Sequence, residues 1–96
     1  MIEQQTVDAA VEFVRAIGQG SWSNIRWEHQ DGGESLLVAV SITDALDFEI
    51  SESRRLAILD GLGRMIPTSG KVHGPTWMVA FLRDSKVFDS IYGEFD

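Results

Sequence analysis

The strongest constraint on this chain is a pair of alternating segments joined by a glycine turn. Along residues 22–30, Ser23, Ile25, Trp27 and His29 fall on one side of an extended strand, and Trp22, Asn24, Arg26, Glu28 and Gln30 on the other, because successive strand side chains point to opposite faces. Residues 34–42 repeat the pattern, with Leu36, Val38, Val40 and Ile42 against Leu37, Ala39 and Ser41. Asp31-Gly32-Gly33 separates the two runs, and glycine supplies the positive φ that a tight reversal needs. The product is an antiparallel hairpin. A lone hairpin is marginal in water, so its aliphatic face requires cover from the rest of the chain.

Two segments read as that cover. Residues 4–18 place Val7, Ala10, Val11, Val14 and Ile17 at three- and four-residue steps, the spacing of one helix face. Gly18 and Gly20 follow as stops. Residues 53–66 carry Leu56, Leu59, Leu62 and Ile66 as an expected buried stripe, flanked by Ile58 and Met65. Ser51 or Ser53 is placed to cap this helix, with Glu52 at its positive end. Gly61 and Gly63 interrupt it. Interior glycine disfavours a helix, so they predict a close approach or an early end, and Pro67 terminates the helix in either case.

Residues 43–52 form an acidic connector in which Leu46, Phe48 and Ile50 alternate with Asp47 and Glu49, as a short strand or an anchored extended loop. Residues 67–75 are rich in turn formers. Residues 76–83 are apolar on both strand faces, which predicts a central position in a sheet or cover on both sides. Asp84-Ser85 turns the chain into a last strand over residues 86–92. The whole reads as one domain over residues 1–96. Its class is α+β, a two-layer sandwich of order α-β-β-α-β-β, with a four-stranded antiparallel sheet and two helices on one face.

Composition narrows the chemistry. There is no cysteine, so there is neither a disulfide nor a thiolate metal site. Fifteen acids face eight lysines and arginines, for a net charge of −7. Residues 1–52 hold ten of the acids and two arginines, net −8. Such a field repels phosphate backbones and attracts basic partners, although acidity also serves solubility alone. No run approaches the ~20 apolar residues of a membrane span. The start, Met1-Ile2-Glu3-Gln4-Gln5, lacks the basic and apolar regions of a secretory leader. A cytoplasmic protein that binds neither nucleic acid nor membrane is the expectation.

The motifs for catalysis are sparse. No Gly-x-Ser-x-Gly elbow is present, and the only histidines are His29 and His73, each more simply read as a packed or surface residue than as a base. Asp44, Asp47, Glu49 and Glu52 are dense, but they do not follow calcium-loop spacing; a solvated acidic edge explains them better. Lys71 and His73, between Gly70 and Gly74, could meet an anion but precede a strand. Asp89 shares strand parity with Val87 and Ile91, which implies a rim position, an ion pair with a residue such as Arg83, or a functional role. Strand aromatics mostly pack, yet two helices cover only one sheet face, which would leave Trp22, or Phe88 with Tyr92, on the other.

The reading is therefore a small acidic non-catalytic protein-binding module without cofactor or metal, of the inhibitor or immunity type, that neutralises a basic protein partner. Its expected contact residues are Asp44, Asp47, Glu49, Glu52, Trp22, Phe88, Asp89 and Tyr92. The alternative is a homodimeric assembly subunit. A ligand-binding protein or enzyme that uses the open sheet face ranks below both.

Overall fold

The computed structural model describes residues 2–18, 22–42, 51–66 and 76–93. Helix α1 spans Gln4–Gly18 and α2 spans Glu52–Met65. Strands β1 (Trp22–Gln30), β2 (Ser35–Ile42), β3 (Trp77–Arg83) and β4 (Lys86–Tyr92) form one sheet in the order β1-β2-β3-β4. The predicted connector strand and the turn-rich loop, residues 43–50 and 67–75, lie outside the described residues.

The β1–β2 hairpin forms where the alternation places it. Its turn, Asp31–Gly33, holds Gly32 at φ 68 and Gly33 at φ 93, the left-handed region where a Cβ clashes with backbone. The Ile2 amide donates to the Gly33 carbonyl at 2.7 Å and pins the start of the chain to this turn. The β3–β4 hairpin turns through Asp84 at φ 52 and Ser85 at φ 64. Two consecutive left-handed residues match the twist of the flanking strands, here without glycine.

The outer strand pairs are antiparallel, but β2 and β3 run parallel, with Leu36 opposite Trp77, Val38 opposite Val79 and Val40 opposite Phe81. The sheet is thus mixed rather than wholly antiparallel. Among the described residues one helix, α2, lies between β2 and β3. One traverse across the sheet returns the chain to the end from which β2 started, so β3 must run the same way.

Both helices lie on one face. Val7, Ala10, Val11 and Val14 of α1 and Ile58, Leu62 and Ile66 of α2 share one core with Leu36, Val38, Val40, Trp77, Val79, Phe81 and Ile91. Ser51 caps α2, its hydroxyl accepting from the Arg54 amide at 3.2 Å. The buried stripe of α2 runs through Ile58, Leu62 and Ile66, while Leu56 is 55% exposed, so the buried face is turned slightly from the expected one. Close packing against α1 sets that rotation. A Cβ on Gly61 would lie 2.1 Å from the Phe13 ring, whereas a Cβ on Gly63 would meet no atom within 4 Å.

These two glycines separate in a stability measurement. Gly61→Ala should lower urea-unfolding stability by about 1–3 kcal/mol through overpacking, and a Phe13→Leu change in the same chain should recover part of it. Gly63→Ala should raise stability by about 0.5–1 kcal/mol through helix propensity alone.

Candidate protein-binding surface

Strand pairing fixes which side chains share the sheet face away from the helices. Across β1 and β2, Arg26 lies opposite Ala39 and Glu28 opposite Leu37. Leu37 neighbours Met78, and Met78 neighbours Tyr92; Ala39, Ala80 and Ser90 form the next row; Ser41, Leu82 and Val87 the third. The centre of this face is aliphatic and its β1 margin is polar. No described helix packs over it. Leu37, Met78 and Leu82 are half-buried on this face, and Ala80 between them is buried.

β4 closes the sheet as an edge strand. Its pairing to β3 slips between Phe81 opposite Asp89 and Leu82 opposite Val87, so Phe88 is an inserted residue. A bulge of this kind turns the strand and re-aims a side chain outward. Val87 is 61% exposed, Phe88 39% and Tyr92 47%. The Arg83 guanidinium sits 4.6 Å from the centre of the Phe88 ring, within cation–π range. The outcome is a large apolar margin with a cation held over one ring.

The other expected contact residues divide. Trp22 is not on the open face. The β1–β2 register shifts between Trp22 and Asn24, which places Trp22 opposite Ile42 on the core side. Its indole N–H donates to the Val14 carbonyl at 2.8 Å, its ring lies 5.6 Å from that of Phe81, and Arg54 stacks over it at 5.6 Å. Trp22 therefore fastens the last turn of α1 to the sheet. Asp89 faces the helices, where its carboxylate accepts from the Arg55 guanidinium; its partner is Arg55 of α2, not Arg83. Arg55 also reaches the Ser90 carbonyl at 3.4 Å. Glu52 is exposed in the first turn of α2. Asp44, Asp47 and Glu49, and also Lys71 and His73, lie outside the described residues. Of the eight residues, Phe88 and Tyr92 share the β4 margin, and sequence parity missed the Arg83 partner that flanks them.

Two further features belong to the inventory. His29 lies edge-on to Trp27 at 5.5 Å between ring centres, and its buried Nε2 makes no hydrogen bond among the described residues. It therefore has no paired nucleophile there. A half-open cleft of about 360 Å³ lies between α2 and the end of β4, lined by Leu59, Asp60, Gly63, Ile66, Thr76, Trp77 and Gly93. Among the described residues no group of three or more His, Asp or Glu side chains could hold a metal ion, and no helix is long and apolar enough to cross a membrane.

No family model, curated protein or solved structure matches this chain. The functional argument accordingly rests on its own geometry.

Two structural contacts are measurable. Trp22→Phe keeps the ring packing and removes the indole N–H, so it should cost about 1 kcal/mol in urea unfolding, the typical net worth of one such hydrogen bond. A double-mutant cycle with Arg55→Ala and Asp89→Ala should give a coupling of about 0.5–1 kcal/mol, because both side chains keep part of their hydration, and added salt should reduce it.

Proposed function

We propose that this chain is a non-catalytic protein-binding module that docks through the sheet face away from its two helices and through its β4 margin onto a basic protein. The carrying observation is that Leu37, Met78, Leu82, Val87, Phe88 and Tyr92 come together on a face that neither helix covers. Contiguous apolar surface with aromatic residues and a polar rim is the composition of protein interfaces. The net charge of −7 supplies long-range attraction for a positively charged partner, while the apolar face supplies the short-range contact. An inhibitor or immunity-type protein that works in the cytoplasm combines these properties: it needs tight surface complementarity and no reactive group.

The same face could receive a second copy of the chain, and its aliphatic centre favours that reading. The charge opposes it, since both copies carry the same sign and repel as they approach. Sedimentation at low salt should accordingly give a monomer, whereas a stable dimer dispersed by changes at Phe88 and Tyr92 would replace the proposal with self-assembly.

The decisive experiment compares the native chain with Phe88→Ser/Tyr92→Ser as baits in extract from the source cells. The native chain should retain a basic protein that elutes as salt rises. The variant, with an unchanged unfolding curve, should bind that protein at least about tenfold more weakly, since truncated aromatic anchors each cost about 1–2 kcal/mol. Equal retention by both baits, or no basic protein on either, overturns the reading.

A further inference from the structure

The cleft between α2 and the end of β4 lies on the helix side of the sheet, apart from the docking face. We propose that it binds a small organic ammonium compound, an amine carried on a short apolar or aromatic body. This does not use the sheet face, so it stands or falls independently of the protein-binding reading.

The walls set the body of the ligand. Leu59 and Ile66 of the α2 segment and the Trp77 indole supply apolar surface, and Gly63 and Gly93 supply bare backbone. The Gly93 amide donates to the Trp77 carbonyl at 3.1 Å and holds that wall in place. A volume of about 360 Å³ is within the range of small-molecule sites.

Gly63 is the second observation. Glycine weakens a helix, and at Gly61 the Phe13 ring explains why glycine is present. At Gly63 no atom of a described residue lies within 4 Å of where a Cβ would stand, so packing among the described residues gives no reason for the missing side chain. Gly63 lines the cleft, and a Cβ there would occupy part of it. Bare backbone at such a point lets a ligand approach closely.

Charge sets the head of the ligand. Asp60 is the one charged residue among the described lining residues. Its Oδ1 lies 3.3 Å from the Arg64 guanidinium, and both side chains are largely exposed, so this surface pair holds the carboxylate only weakly. Arg64 does not line the cleft. A carboxylate at the rim of an apolar, indole-bearing cleft suits an ammonium, through a charge-assisted hydrogen bond. The net charge of −7 disfavours an anionic occupant.

The test is an amide NMR titration of the full chain with phenethylammonium and with the neutral phenethyl alcohol, at neutral pH and low salt. The amine should give saturable shifts at Gly63, Thr76, Trp77 and Gly93, and should bind about tenfold more tightly than the alcohol, the size of one charge-assisted contact. Asp60→Asn should bring the amine down to the level of the alcohol. Gly63→Leu should block both; should that variant unfold, Gly63→Ala, which the helix favours, should still weaken the amine. Absence of saturable shifts at those amides, equal affinity for amine and alcohol, or full amine affinity in Asp60→Asn overturns the proposal.

Discussion

The described structure depends on the apolar layer between the sheet and its two helices. The paired core residues of β2 and β3 meet α1 and α2 in a single apolar layer, and Leu36, Val38, Val40, Val79 and Phe81 are fully buried within it. Full burial of an aliphatic or aromatic side chain is worth about 1.5–3 kcal/mol as an upper bound, so this layer supplies the driving force that holds both hairpins in one sheet. The fastenings follow from it. Phe13 lies against Gly61 because the helices must sit side by side over a narrow sheet, and Trp22 closes the open end of α1 against Phe81. The Arg55–Asp89 pair ties α2 to the edge strand where the apolar layer thins.

That layer also constrains the opposite face. Alternation along β2 and β3 that sends Leu36, Val38, Val79 and Phe81 inward sends Leu37, Met78, Ala80 and Leu82 outward. Together with Ala39 and Ser41 of β2, this outward set is largely apolar, and neither described helix lies over it. A sheet that needed only to stay in solution would carry polar residues there, as β1 does with Asn24, Arg26, Glu28 and Gln30. The β4 bulge adds Phe88 to the same margin, and Arg83 holds that ring. These features together motivate the docking proposal.

Much of the fold was legible because periodicity is a direct record of burial. Residues 4–18 read as a helix from five apolar positions, and the first hairpin read from alternation and two glycines. Three features were not legible, each for a physical reason. The parallel pairing of β2 and β3 follows from the number of traverses between them, which strand patterns do not record. The position of Trp22 follows from a one-residue register shift at the start of β1, and a single inserted residue reverses the parity of everything beyond it. The exposure of Leu56 follows from how closely α2 approaches α1, which the glycines hinted at without naming Phe13. Phe88 and Tyr92 could be nominated from strand parity and aromatic character, but their Arg83 neighbour and the cleft beside Gly63 arise from bulge geometry and from helix–strand spacing.

The parallel central pair has a consequence for how the chain reaches its native state. The hairpins close through four and two residues and can form early, but Leu36 meets Trp77 only after the intervening crossover has closed, an entropic cost that grows with chain length and slows folding. Until then the inner flanks of both hairpins are unsatisfied edges in the most aliphatic part of the sequence. Assembly from the outside inward leaves the strands most prone to intermolecular pairing unpaired for longest, and a net charge of −7 makes two such chains repel each other as they approach.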